Sequence, residues 1–267
     1  MLRIPQKLHS FSASEWDSIA NVRLMGGSTY HEIVLDTNSQ TSSEFLSPAD
    51  IEHVKVILNG DTILTMTGAQ LKMINAYKGL HEEDGIYIIP FGDRSANMIE
   101  SQYFGALVTF PTDNISLEVK IAAKGTHVDA KPTLEGQAWV SARQDARIWL
   151  PRVRTLNFVA SASGENTLDT LPRGPIIQKM HIQSAATRLV VRRERLEVFD
   201  STKSINNFNL KQWGRDPQGG YFHFDPTATG FNGADSFDTA VNELDFILTV
   251  PAPETARVLL HSVERVA

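Results

Sequence analysis

Cysteine is absent from all 267 residues, which excludes disulfides, a zinc ribbon and a thiol nucleophile. This suits synthesis in a reducing cytoplasm. No run approaches the roughly 18 consecutive apolar residues of a transmembrane helix. The opening "MLRIPQKLHSFSASEW" also lacks the apolar core of a signal peptide. Positive charge is not in excess: 25 Lys and Arg against 31 Asp and Glu leave a formal net charge of −6. A protein that wraps nucleic acid needs the opposite balance, so direct nucleic-acid binding is not expected. Catalytic signatures are missing as well. There is no G-x-S-x-G elbow and no phosphate-cradling glycine loop, and "SASGEN" matches neither. No His-x-His pair of a cupin metal centre occurs among the eight histidines at 9, 31, 53, 81, 127, 181, 223 and 261. No catalytic, cofactor-binding or metal-ligating residue is assigned, and the chain does not read as an enzyme.

What the sequence does contain is a repeat. "LVTFPTDNISLEVKI" (107–121) is echoed by "ILTVPAPETARVLLHSV" (247–263), which sets Thr109-Phe110-Pro111 against Thr249-Val250-Pro251. Four further segments recur in the same order. "GGSTYHEIVLD" (26–36) pairs with "RGPIIQKMHIQ" (173–183), and "HVKVILNGDTILTM" (53–66) with "RLVVRRERLEVFD" (188–200). "LKMINAYKG" (71–79) pairs with "NNFNLKQWG" (206–214), and "DGIYIIPFGD" (84–93) with "GGYFHFDP" (219–226). Segments in one order across half a chain point to a duplicated domain.

The repeated unit reads as β-structure. Val54, Val56 and Leu58 alternate before Asn59-Gly60, a strong hairpin signal, and Ile63 and Thr65 resume beyond it. Leu117, Val119 and Ile121 alternate with Glu118 and Lys120, so one face can be buried. Each copy holds one short helix. In the first, Thr67 is the N-cap, Leu71, Ile74 and Tyr77 form the inner face, and Gly79 closes it. In the second, Ser204 is the expected cap, Ile205 and Phe208 the inner face, and Gly214 the close. An all-β unit with one inserted helix reads as a jelly-roll sandwich, and two in tandem give the fold class.

The expected division is an N-terminal arm at 1–19 without strand pattern, a first jelly roll at 20–142, a connecting segment at 143–170 and a second jelly roll at 171–267. Within the connecting segment, Ala160–Thr170 has the small, polar composition of a linker.

Several clusters invite a binding role, each with a plainer reading beside it. His81, Glu82, Glu83 and Asp84 could hold a cation or form a solvated turn. Asp225, Asp235 and Asp238 of "DPTATGFNGADSFD" offer carboxylates for a structural calcium ion, or line a surface loop. His181 and His223 read as ordinary sheet positions. Arg188, Arg192, Arg193 and Arg195 flank a hairpin turn, where charge is usually solvated. Arg143, Arg147, Arg152 and Arg154 interleave with Ile148, Trp149, Leu150 and Val153. That pattern fits a lipid or acidic interface, or a strand with one charged face. Of the tryptophans, Trp139 and Trp213 sit where burial is expected.

Residues 47–64, "SPADIEHVKVILNGDTIL", with Pro48, Ile51, Val54, Val56, Leu58 and Gly60, together with "WLPRVR" (149–154) and "LPRG" (171–174), carry a resemblance. Over roughly 20–267 the chain resembles the major capsid proteins of tailless, internal-membrane-containing icosahedral bacteriophages of the corticovirus type, members of the double jelly-roll lineage. The arm and the loops at 38–46 and 225–238 depart from that pattern. The resemblance implies a structural virion protein without enzymatic activity. It implies a homotrimer that meets neighbouring capsomers, vertex or penton proteins and minor capsid proteins. It also implies an inner end, with the arm (Arg3, Lys7, His9, Leu2, Ile4, Leu8, Phe11) and Arg147–Arg154, that contacts the viral membrane. A tandem carbohydrate-binding, lectin-like protein is the competing reading, and a bicupin enzyme the third.

Overall fold

The computed structural model describes residues 3–40, 42–94, 96–169 and 171–266. The first half runs β1 (Ile4–Lys7), β2 (Ile19–Leu24), β3 (Ser28–Asp36), β4 (Ile51–Leu58), β5 (Asp61–Met66), α1 (Gly68–Tyr77) and β6 (Ile86–Pro90). It continues through α2 (Ile99–Tyr103), β7 (Leu107–Val108), β8 (Ile115–Ile121) and β9 (Glu135–Ala142). The second half runs β10 (Trp149–Ala160), β11 (Gly164–Thr167), β12 (Ile176–Gln183), β13 (Arg188–Arg193), β14 (Leu196–Thr202) and α3 (Lys203–Gln212). It ends with β15 (Tyr221–Phe224), a 3-10 turn, α4 (Asn232–Asp235), β16 (Phe237–Asp238), β17 (Leu244–Val250) and β18 (Glu254–Arg265).

The pairing repeats strand for strand. In the first half β1-β9-β3-β6 form one sheet, with β7 also on β3, and β5-β4-β8-β2 form the facing one. In the second half β10-β18-β12-β15, with β16 on β12, answer the first set, and β14-β13-β17-β11 answer the second. Two jelly rolls of one topology therefore stand side by side. They share a sheet, because β10 of the second runs parallel to β5 of the first at Val153↔Leu64.

The expected alternation is borne out. Ile115, Leu117, Val119 and Ile121 of β8 are fully buried, as are Val54 and Val56 of β4, and they close a core across both sheets of the first sandwich. A second cluster around Met180, Ile182, Val191, Phe222, Phe246 and Val258 fills the other sandwich. Thr67 caps α1 with a full capping box, its Oγ1 accepting the Gln70 N–H while the Gln70 side chain accepts the Thr67 N–H.

Several sequence expectations are corrected. The echo between residues 107–121 and 247–263 is not one of position. Thr109-Phe110-Pro111 lies in the turn after β7, whereas Thr249 and Val250 end β17, the counterpart of β8. Thr109 serves that turn: its Oγ1 accepts the N–H groups of Gly27 and Ser28, tying the turn to the start of β3. The other four matched segments do fall on equivalent elements.

The arm contains a strand. β1 pairs antiparallel with β9, too short for periodicity to betray it and with Pro5 tolerated at a sheet edge. Leu8 and Phe11 then pack on the first core, while Leu2 lies outside the described residues. The connecting segment is no linker either. β10 is a 12-residue strand between β18 and β5, and β11 pairs with β17.

In α3 the cap position is Thr202 rather than Ser204, and the buried residues are Asn206 and Leu210. Ile205 and Phe208 point outward, 58% and 63% exposed, and Trp213 is 55% exposed. Trp139 is half-buried.

The two matching hairpins differ in turn chemistry. Asn59 (φ 52°) and Gly60 (φ 87°) suit the left-handed region; Glu194 (φ 50°) and Arg195 (φ 67°) occupy it at a steric cost. Arg195→Gly should therefore raise stability by up to about 1 kcal/mol, read from the urea midpoint at constant slope. An unchanged or lowered midpoint would show that the turn is not strained.

Candidate functional site

Where the two sandwiches meet, charge is buried. Asp93, just beyond β6, receives Lys78 Nζ at 3.3 Å and, from β12 of the other half, Lys179 Nζ at 2.5 Å. Arg215, after α3, lies 4.0 Å from Asp93 and, through Nε, 3.6 Å from Asp225. All five side chains are within a tenth of full burial. Burial, partly offset by Asp93 and reinforced by Lys179 and Arg215, pushes Lys78 down to about 8.

Beside this cluster Tyr77, the last residue of α1, donates its hydroxyl to Asp225 at 2.9 Å. Its ring stacks on His223 at 4.4 Å and meets His181 edge-on at 4.9 Å. His181 and His223 face each other across the β12–β15 pair, their Nδ1 atoms 2.7 Å apart. The closing glycines of α1 and α3 approach here too: a Cβ on Gly79 would lie 3.8 Å from the Gly214 carbonyl. The seam thus locks helix end to helix end and strand to strand.

Sequence reasoning missed most of it. Lys179 and His181 share the seam face of β12, whereas Ile177, beyond a bulge, joins Met180 and Ile182 on the core face, so simple parity along the strand misplaces it; a Lys within an apolar strand was the available signal. Asp93 and Arg215 sit in irregular chain, where no periodicity marks them.

The residues singled out beforehand lie elsewhere or have other partners. His81, Glu82, Glu83 and Asp84 are all exposed. Asp225 is taken by Tyr77 and Thr227, Asp235 by the Thr229 hydroxyl, and Asp238 by the Ala240 N–H. Among the described residues no group of three or more His, Asp or Glu gathers to hold a metal. Arg188, Arg192 and Arg195 pair with Asp200, Glu197 and Glu243 on the surface. Arg147 binds Asp113 at 2.8 Å, Arg152 binds Asp61 and Glu264, and Arg154 binds Glu264 at 2.7 Å. Arg143 lies over the Phe110 ring, at 5.8 Å.

A surface of another kind covers neighbouring ground. Ile99, Tyr103, Phe104, Gln144 and Trp149 line an open, mostly apolar hollow of about 400 Å³. With outward α3, it supplies apolar area of the kind that marks contact with other chains.

With this geometry in view, comparison with known proteins decides the family. The N-terminal domain of viral coat protein P2 matches residues 5–141 and its C-terminal domain residues 150–266. The chain belongs to the viral coat protein P2 family. As a coat protein of that family it is a structural component of a virion shell, not an enzyme or a lectin. The crystal structure of the major capsid protein P2 from Bacteriophage PM2 shares 21% identity at a TM-score of 0.85, covering 100% of this chain and 98% of that one. The STIV MCP shares the fold at 11% identity and a TM-score of 0.70, covering 99% and 97%. No curated protein matches the chain in sequence.

The buried imidazoles set an acid limit for this coat protein. Burial lowers His31 and His223 to about 4 and His181 well below its ordinary value. Below the unfolded value near 6.5, the unfolded chain binds protons that these three sites refuse. Stability should therefore hold above pH ~6.5 and fall as pH drops towards 4, by up to about 1.4 kcal/mol per pH unit for each histidine. Urea midpoints between pH 7.5 and pH 4.5 provide the measurement; a flat profile contradicts it.

Proposed function

We propose that three copies of this coat protein close into a pseudo-hexagonal capsomer of an icosahedral shell. The observation that carries this is the strand-for-strand duplication with its shared sheet. A hexagonal tile needs six similar walls; two jelly rolls of one topology in each chain, taken three times around a cyclic axis, supply them. Each chain also has apolar side chains to bury. Ile205, Phe208 and Trp213 on and beside α3 stand more than half exposed, a costly arrangement for a lone monomer. Contacts with neighbouring capsomers, vertex or penton proteins and minor capsid proteins follow from the same tile geometry.

Native mass spectrometry should give three times the 29.6 kDa chain mass. Phe208→Asp should weaken the trimer at least about tenfold, as for an aromatic anchor lost from an interface. A wild-type monomer across micromolar concentrations overturns the reading.

The shell's inner side has a candidate too. Ile4 of β1 pairs with Val140 near the end of β9, Trp149 of β10 with Arg265 of β18, and the Val266 N–H bonds the Ile148 carbonyl. Both ends of the described chain and the joint between the halves therefore gather at one end of the molecule. Met25, Ile148 and Val266 are exposed there, beside exposed Arg143 and Arg265. We assign this end to an anionic internal membrane, where each Lys or Arg near the surface is worth about 1 kcal/mol. Because Arg147, Arg152 and Arg154 are paired within the chain, Arg143, Arg265 and the arm carry the contact. Limited proteolysis should cut the arm in free trimers and spare it in intact virions; equal cutting in both rejects the inward placement.

A further inference from the structure

The join between the two jelly rolls is a template for a contact that one chain cannot complete. Strand for strand, β10 stands in the second roll where β1 stands in the first, and β14 stands where β5 does. Within the chain, β5 of the first roll takes β10 of the second. The other two strands of this set, β14 and β1, each end a sheet, and among the described residues neither has a strand on its outer edge. Both are mostly exposed, β1 at Ile4, Pro5 and Lys7, and β14 at every residue but Phe199 and Ser201. An open edge of this kind offers its N–H and C=O groups to another strand.

Parity and register show how the two edges match. Antiparallel neighbours bond at alternate residues, so the residues between turn their N–H and C=O to the opposite side. The Val266 N–H bonds the Ile148 carbonyl, which turns Val153 away from β18 and towards Leu64 of β5. The Leu8 N–H bonds the Gly136 carbonyl, which turns Pro5 to the open edge of β1. The Lys203 N–H bonds the Thr187 carbonyl, which turns Asp200 to the open edge of β14. Val153 lies opposite His261, and Pro5 opposite Trp139. His261 and Trp139 in turn face Lys179 and Glu32, the first paired residues beyond matching bulges in β12 and β3. Pro5 is therefore the counterpart of Val153. Leu64 faces Val56 and Phe199 faces Val191, each just before a matching bulge, so Phe199 is the counterpart of Leu64.

The helices repeat the correspondence. Counted back from Gly79 and Gly214, Phe208 and Trp213 occupy the positions of Met73 and Lys78. Met73 is buried and the Lys78 side chain is 9% exposed, whereas Phe208 and Trp213 are more than half exposed. The surface that α1 meets has a counterpart as well. Tyr77 stacks on His223, which faces His181 across β12 and β15. By the same count from the bulge, Ile88, facing Val34 across β3 and β6, holds that place on the first roll. There Ile86, Ile88 and Arg94, among others, line an open hollow of about 450 Å³.

We propose that the internal join is repeated between chains. β14 of one copy pairs in parallel with β1 of the next, Phe199 opposite Pro5, while Phe208 and Trp213 enter the Ile86–Ile88 hollow of that same neighbour. The Pro5 carbonyl accepts the Asp200 N–H; Pro5 has no N–H of its own, so this pairing has one bond fewer than its internal original. The contact runs head to tail, second roll to first, and three such steps close a ring. It rests on the trimeric reading above and names the surfaces that make the trimer.

Because the chain has no cysteine, introduced thiols report only on their own contact. Gln6 and Asp200, one residue beyond the Pro5–Phe199 pair, are expected to lie about 4.8 Å apart, inside the range of about 4.4–6.8 Å between Cα atoms that a disulfide spans. Oxidised Gln6→Cys/Asp200→Cys should run as covalent dimer and trimer on a denaturing gel and collapse to monomer on reduction, while each single variant stays monomeric. Ile4→Cys/Asp200→Cys, two residues out of register, should not cross-link; equal yields from the two pairs reject the register. Native mass spectrometry of the same samples separates the two readings. A trimer without cross-link overturns the pairing alone, and a monomer overturns trimer and pairing together. Ile88→Asp should weaken the trimer as Phe208→Asp does, and a trimer of wild-type strength excludes the hollow. The wild type decides if the cysteine variants do not fold: the Asp200 amide, turned to solvent in a single chain, should exchange slowly with deuterium in the trimer. Exchange there as fast as in an open loop overturns the pairing.

Discussion

The carboxylate of Asp93 is the constraint around which the two halves are set. It is fully enclosed and holds Lys78 from its own sandwich and Lys179 from the other, with Arg215 at the edge. Apolar contact between sandwiches is non-directional, so burial alone would let them slide or rotate against each other. An ion cluster tolerates no such drift, because a displaced lysine would be left charged and unpaired in the interior. Such clusters add little net stability, since desolvation offsets most of the attraction. What they supply here is one register. In the capsomer proposed above, that register would set the angle between adjacent walls of the tile.

Duplication made two similar domains, and divergence gave equivalent elements different duties. α1 buries Leu71, Met73, Ile74 and Tyr77 and ends inside the seam. α3, its counterpart, buries only Asn206 and Leu210 and turns its apolar side chains out. The first helix joins the halves of one chain; the second presents a face that a single chain cannot cover. The edge strands diverge too. β1, four residues long, adds one strand to the first sandwich, whereas its counterpart β10 runs twelve residues and crosses between domains. By pairing with β5, β10 turns two sandwiches into one continuous wall.

The basic residues show how neighbouring carboxylates change the reading of a pattern. Arg147, Arg152 and Arg154 alternate with apolar residues as a lipid-facing strand would. Their partners Asp113, Asp61 and Glu264 come from three other segments brought together only by folding. Arg143, of the same run, and Arg265 are exposed where the chain ends gather.

Local signals in the sequence were enough for the local structure. The alternation of Val54, Val56 and Leu58, the Asn59-Gly60 turn, and Thr67 with Gln70 name a hairpin and a capped helix, because strand parity, turn dihedrals and capping each depend on a few adjacent residues. The repeated order of such pieces revealed the duplication, although the match of Thr109 with Thr249 proved one strand out of step. Short strand–proline phrases resemble one another, and only pairing partners distinguish them. Beyond that reach, the tertiary structure decided. It made β1 a strand by giving it β9, turned Ile205 and Phe208 outward, and placed Asp93, Lys179, Arg215 and His181 in one enclosed seam. Each depends on contacts between residues far apart in the chain, and no pattern along one segment records which distant segment will lie beside it.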